Sequence, residues 1–251
     1  MSEWLVLAIA MAAACAVVLS ITVLRQRRIG ADDDPSETPD VIEYMTMMVG
    51  VVYAIVLGLA IAGVWEARTG AQDSVRAEAQ ALHEVSERVQ AYSPQARDRI
   101  RADVQAYVTY VVKDEWPQML KEGELTDKGR TLLDKVRTDV TAYEPRNDQE
   151  AQSYQPLLDQ VGAADAARNA RAQNAEPTMP GVVWFGLIGG ALVAVGLIYT
   201  LQIRRSGREL LLAGLYSAMI AFLLFLIWDF NSPFGHDVDD FVTPFTDLFS
   251  I

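Results

Sequence analysis

The chain has 251 residues, 51% of them hydrophobic and 22% charged, with a formal net charge of −12. Those fractions fit badly with one water-soluble core and well with a division between lipid and water. The acidic balance argues against nucleic acid as a partner, and a single cysteine, Cys15, supports neither a disulfide nor a thiolate metal cluster.

Four apolar segments, residues 4–24, 41–65, 181–203 and 210–228, are long enough for the roughly 18–20 residues that cross a hydrocarbon core. The first lacks the basic start of a signal peptide, and its apolar run exceeds the about 7–15 residues usual in one, so it reads as a mature membrane helix. Residues 25–40 form an acidic linker with Asp32, Asp33 and Asp34, and Asp40 suits the N-cap of the next helix. In segment 41–65, Met47, Val51 and Ile55 recur every fourth residue and so share one helix face. By pattern alone that face fits lipid or helix packing. The segment runs directly into Trp65-Glu66-Ala67-Arg68.

Across residues 66–180 the pattern becomes amphipathic. Val75, Ala79, Leu82, Val85 and Val89 form one stripe; Ile100, Val104, Tyr107, Val108, Val111 and Val112 form a second. Ser93-Pro94 resembles a cap with proline at the first helical position. Asp114-Glu115-Trp116-Pro117 signals a kink or helix end, because proline lacks the N–H a helix needs. Thr126 can cap a third helix carrying Leu132, Leu133, Val136 and Val140, and a fourth starts near Gln149 and carries Leu157, Leu158 and Val161. A soluble domain of three or four helices follows, with no strand competing.

Segment 181–203 is rich in glycine, which lets membrane helices approach closely. A basic loop, 204–209, joins it to segment 210–228, which ends at Trp228. The tail, 229–251, holds Pro233-Phe234-Gly235 and then Asp237, Asp239 and Asp240. A turn followed by carboxylates can supply the oxygen ligands that calcium takes, although a solvated acidic tail looks the same.

All Lys and Arg lie within residues 66–180 except six: Arg25, Arg27, Arg28, Arg204, Arg205 and Arg208. These six fall in the loops after the first and third segments. The positive-inside rule puts both loops in the cytoplasm, and both termini and the helical domain outside it. His83 stands on an amphipathic stretch without a second His or Cys nearby, and no HExxH, GxSxG or phosphate loop is present. Asp114 and Glu115 are neighbours on a helix and point apart, so they make no acid–base dyad. We therefore expect a protein that is not an enzyme.

The tail resembles the calcium-clasp segment of the bestrophin anion channels: Pro233, Phe234 and Gly235 match, as do Asp237, Asp239, Asp240 and Phe241, whereas Ser232, His236 and Val238 depart from it. Trp65, Glu66, Ala67 and Arg68 resemble the motif that follows the second membrane helix of bacterial bestrophins. The chain is still more similar to the bacterial bestrophin-like family, through Gly50, Val51, Tyr53, Ala54, Val64, Trp65 and Glu66 and through Asp114, Glu115, Trp116 and Pro117. The resemblance implies an all-α fold in a bacterial cell membrane, with four transmembrane helices and an amphipathic helical domain inserted between the second and third. It also implies a homo-oligomer, a pentamer, that conducts small inorganic ions through a central pore. Met47, Val51 and Ile55 would line the neck, and Asp237, Asp239 and Asp240 would bind Ca2+. It puts the helical domain in the cytoplasm, against the charge count, which we follow because it uses this chain directly. The alternative is a non-conducting scaffold or sensor that binds a partner through its helical domain.

Overall fold

The computed structural model describes residues 40–200, 207–234 and 238–249. The expected first span, 4–24, and the linker up to residue 39 lie outside the described residues. Every regular element among those described is helical. They divide into two units, one of residues 1–65 with 179–231, the other of residues 66–178 with 232–251.

Helix α1, Asp40–Arg88, belongs to both. The apolar segment 41–65 and the first amphipathic stripe beyond it are therefore one uninterrupted helix. It closes in a single 3-10 turn, Val89–Ala91.

The first unit also contains α6, Gly181–Thr200, and α7, Gly207–Phe230. Tyr53, Leu57, Ala60 and Val64 of α1 are buried with Leu187, Ala191 and Ala194 of α6 and Ile220 and Ile227 of α7. The Tyr53 hydroxyl donates to the Leu187 carbonyl at 2.9 Å. A Cβ at Gly190 would come within 2.6 Å of the Tyr53 ring, so glycine is what admits the ring there. Glu43–Ala91 and Leu211–Phe230 are long and apolar enough to cross a membrane; Gly181–Leu197 is shorter. Residues 207–209, read from sequence as loop, belong to α7. At the other end of α7 the Trp65 ring meets Phe230 edge-on at 5.4 Å, and the Met179 N–H donates to Asn231 Oδ1 at 2.8 Å.

The second unit is a helical bundle. Besides the charged half of α1 it contains α2, Pro94–Tyr110, a π-turn at Val111–Glu115, α3, Trp116–Glu122, α4, Asp127–Thr141, α5, Asp148–Gln173, and α8, Val238–Leu248. The stripes expected from periodicity form its core: Val75, Leu82, Val85 and Val89 meet Ile100, Val104 and Val108 of α2, Leu133, Val136 and Val140 of α4, and Leu157 and Val161 of α5. Pro94 starts α2 as expected, although Ser93 caps it with no side-chain bond; its N–H donates to the Tyr143 hydroxyl at 3.4 Å instead. Thr126 caps α4 by accepting from the Gly129 N–H. Asn147 and Glu150 cap α5 reciprocally: Asn147 accepts from the Glu150 N–H, and Glu150 accepts from the Asn147 amide and the Arg146 N–H.

At Trp116-Pro117 the helix does not end. It widens: the Trp116 N–H reaches back five residues to the Val111 carbonyl, and α3 then runs on to Gly123, whose positive φ closes it. Pro117 cannot donate to the Lys113 carbonyl, and its ring would collide with that carbonyl in a regular helix. The wider turn relieves both problems.

The tail, legible in sequence as acidic, is held by aromatic residues. Phe234, Phe241, Phe245 and Phe249 are buried in the core of the second unit. The last three recur every fourth residue, so α8 lays one face inward. Each such burial stabilises by about 1.5–3 kcal/mol.

Candidate functional site

Two places collect the residues that the sequence singled out. In the first unit, Met47, Val51 and Ile55 are 57%, 57% and 58% exposed. They occupy the α1 face opposite Tyr53, Leu57, Ala60 and Val64, and no other described part of the chain covers them. Met48, Val52 and Leu59 widen the same exposed strip. An apolar face of this width is stable against lipid or another apolar helix, and unfavourable against bulk water.

In the second unit, three motifs that lie far apart in sequence converge. Trp116 is fully buried. Phe234 meets its ring edge-on at 5.5 Å and Phe241 lies along it at 6.3 Å; the two phenylalanines are 5.0 Å apart. The Arg68 guanidinium sits over Phe241 at 5.9 Å and the Arg171 guanidinium over Trp116 at 5.3 Å. The Trp-Glu-Ala-Arg motif, the Asp-Glu-Trp-Pro motif and the tail therefore each contribute to one aromatic–guanidinium stack. Pro233 is buried beside Phe234 in sequence. Glu66, Asp114 and Pro117 are exposed, and Trp65 is half exposed. Gly235 and Asp237 lie outside the described residues, as do the side chains of Asp239 and Asp240, which stand in the first turn of α8. Among the described residues no three His, Cys, Asp or Glu side chains group as a metal site.

Behind the stack lies a buried charge network. Arg171 Nε donates to Glu78 Oε2 at 2.8 Å, and Arg171 Nη2 to Glu78 Oε1 at 3.2 Å and Glu115 Oε1 at 2.9 Å. Arg168 Nη2 donates to Glu115 Oε2 at 2.8 Å and to the Thr126 carbonyl at 3.0 Å. Thr126 donates to Glu115 through its hydroxyl at 2.7 Å and its N–H at 3.2 Å. Tyr107 donates its hydroxyl to Glu78 Oε1 at 2.5 Å. Glu78, Glu115, Arg168 and Arg171 are all buried, and they tie together α1, the π-turn, the start of α4 and α5.

At the wide turn Glu115 is buried while Asp114 stays in solvent, in keeping with the divergence read from sequence. Gly129 then makes room: a Cβ there would run into the Glu115 carboxylate and come within 2.8 Å of Arg168 Nη2. Burial alone would raise the Glu115 carboxyl, but Arg171, Thr126 and Arg168 outweigh it and hold it below its ordinary value. Burial opposes the charge on Arg171, and Glu78 and Tyr107 reverse that and raise it. Burial, then the Glu78 carboxylate, pushes the Tyr107 hydroxyl well above its ordinary value. Glu115 and Arg171 thus stay charged and Tyr107 stays protonated through the neutral range, which suits a permanent brace rather than proton transfer.

Sequence reasoning missed Glu78, Arg168 and Arg171. Their signal was positional: Glu78 falls between Val75 and Leu82, and Arg168 and Arg171 continue the Leu157, Val161, Ala164 stripe. His83, read as a surface or packing residue, is half-buried against the Phe249 ring at 6.0 Å.

A family model described as a bestrophin-like domain matches residues 12–238. Comparison with curated proteins and with solved structures returned no match.

Proposed function

Because the chain belongs to the bestrophin-like family, we propose that it is a multi-pass membrane channel for anions such as chloride, assembled as a homo-oligomer, a pentamer, with Met47, Val51 and Ile55 lining the pore neck. One observation carries this reading: the face of α1 that holds these three residues is broadly apolar, exposed, and opposite the face that packs on α6 and α7. Copies that bring this face to a shared axis enclose an apolar constriction. Such a neck conducts when wetted and closes when it dries. The reading includes four spans, with residues 4–24 supplying the first, and assigns the chain no catalytic step.

The helical unit and both termini are extracytoplasmic in this reading, which follows the positions of the six outlying arginines. The tail carboxylates Asp237, Asp239 and Asp240 would hold a Ca2+ ion. Three carboxylates suit a hard cation, and the buried Phe234 and Phe241 anchor the segment on either side of them. When bound, the ion would neutralise charge that the tail otherwise concentrates between those anchors.

The alternative, a scaffold that docks a partner through its helical unit, has less support. Among the described residues, Leu248 is the one large hydrophobic that the second unit exposes.

Chloride flux in liposomes containing the purified protein tests the channel. We expect flux that changes in Val51→Ala and Ile55→Ala; no flux, or flux indifferent to both, would sink the claim. A calcium-induced rise in melting temperature that is lost in Asp237→Ala and Asp240→Ala checks the cation. A cysteine in place of the exposed Gln95, labelled by an impermeant thiol reagent on intact cells, checks orientation.

A further inference from the structure

Helices α2 and α4 run side by side, with two ion pairs crossing between them. Arg99 and Asp103 stand one turn apart on α2, as do Lys135 and Asp139 on α4. Arg99 Nη2 meets Asp139 Oδ1 at 2.9 Å, and Lys135 Nζ meets Asp103 Oδ1 at 2.5 Å. Both bases reach in from solvent, with side chains 59% and 61% exposed, whereas Asp139 beneath them is largely covered at 15% and Asp103 is buried at 6%.

This leaves one oxygen unaccounted for. Asp103 Oδ2 is buried and has no donor among the described residues. A buried carboxylate oxygen without a donor costs on the order of 1–3 kcal/mol. The two crossed ion pairs set the Asp139 carboxyl beside Asp103, and interaction with Asp103 is the largest influence raising Asp139. Two ionised carboxylates side by side repel and neither can donate. A carboxyl and a carboxylate can share one hydrogen bond.

We propose that Asp103 and Asp139 together form a proton-binding site at the α2–α4 seam, one proton bridging Asp139 to Asp103 Oδ2, so that mild acid tightens the helical unit. The site does not depend on whether the chain conducts ions. The surrounding charges are consistent with it. Arg99 and Lys135 each engage the outer oxygen of one acid. On the far side of α2, Arg101 turns to Glu87 at 3.6 Å, and on the far side of α4, Arg137 meets Asp165 of α5 at 3.0 Å.

The hydrogen bond with Asp103, then burial, holds the Asp139 carboxyl above its ordinary value, against the pull of Arg99. Between the ordinary and the folded value the folded chain binds more proton than the unfolded chain. Stability from this site is therefore complete below the ordinary aspartate value and is lost as pH rises through the folded one.

Thermal melts of the full-length protein in detergent, from neutral to mildly acidic pH, test the site. In wild type the melting temperature rises on acidification by about 2–4 °C. Asp139→Asn, whose amide donates to Asp103 Oδ2 at every pH, melts higher than wild type near neutral pH and shows a flatter profile. Asp103→Asn supplies the donor from the other helix and flattens the profile too, while Asp98→Asn leaves it unchanged. Infrared spectra of wild type in mild acid show a protonated carboxyl band that both seam variants lose. The proposal is overturned if Asp139→Asn melts lower near neutral pH with the wild-type profile kept, or if the carboxyl band is absent. It is equally overturned if sodium, potassium or calcium at constant ionic strength raises the wild-type melting temperature and Asp139→Asn abolishes that rise, since a cation would then hold the two acids.

Discussion

The two units solve opposite problems with the same element, a helix with one buried face. In the first unit Tyr53, Leu57 and Val64 pack inward, yet Met48, Val52, Phe185, Leu192, Leu211 and Leu215 remain outside. In the second, the large apolar side chains go in, and six charged ones go in with them. The first has an apolar exterior and an interior polarity that includes the Tyr53–Leu187 hydrogen bond. The second has a charged exterior and a charged centre. A hydrophobic exterior is stable where the solvent is lipid, which offers helices little hydrophobic drive to associate. A buried charge network adds little net stability over apolar packing, but it is costly to break and it specifies which helices meet.

The sharpest way to break this contrast is to remove Arg171. Arg171→Ala leaves Glu78 buried without a cation and Glu115 with Arg168 alone, and we expect a loss of about 3–5 kcal/mol, read by denaturant unfolding followed through helical signal. Replacing Glu78, Glu115, Arg168 and Arg171 together with apolar residues should recover much of that loss; failure to recover would mean that the network itself, and not relief of stranded charge, stabilises the unit. Gly129→Ala should cost less, about 1–3 kcal/mol, by forcing a methyl group against Glu115, checked in the same assay. Tyr53→Phe, the corresponding test in the first unit, should cost only about 0.6 kcal/mol, a typical hydrogen bond between membrane helices. Val51→Ala should move stability by less than about 0.5 kcal/mol, because that side chain is exposed, so any change in flux would report on the neck alone. If Tyr53→Phe proved as damaging as Arg171→Ala, the contrast between the units would fail.

Acid distinguishes carboxylates within the second unit. Glu115 is held low, so its stabilisation is present above the ordinary glutamate value and is lost as pH falls through the folded one. Asp139 acts in the opposite sense. Glu115→Gln should flatten the acid limb of the stability profile, and Asp139→Asn the region above it.

Much of the fold was legible. Apolar residues at every third and fourth position marked α1, α2, α4 and α5, and Pro94, Thr126 and the vicinity of Gln149 marked their starts. Family membership was legible from short motifs, but what those motifs do was not. Trp116 and Arg68 signalled nothing about each other, because a cation over an aromatic ring has no period in sequence. Glu78, Arg168 and Arg171 were overlooked because a stripe is traced through apolar residues, and a charge in phase with it looks like an interruption. Complementary charges in phase on different helices were the available clue. Phe241, Phe245 and Phe249 were obscured by the acidic run just before them. The α1 face through Met47, Val51 and Ile55 was visible at once, since exposure follows from period alone, while lipid and a second copy favour the same residues.

The wide turn at Val111–Glu115 puts the helix on either side of it in different reading frames. Each residue of an α-helix advances the phase by roughly 100°. Ile100, Val104 and Val111 face the core in one frame, Trp116 and Met119 in the other. The turn is in effect a single inserted residue, kept because Pro117 forbids the regular alternative. Deleting the exposed Lys113 would bring Trp116 and Met119 into the same α-helical frame as the stripe before the turn, but it would also set the Pro117 ring against the carbonyl four residues before it.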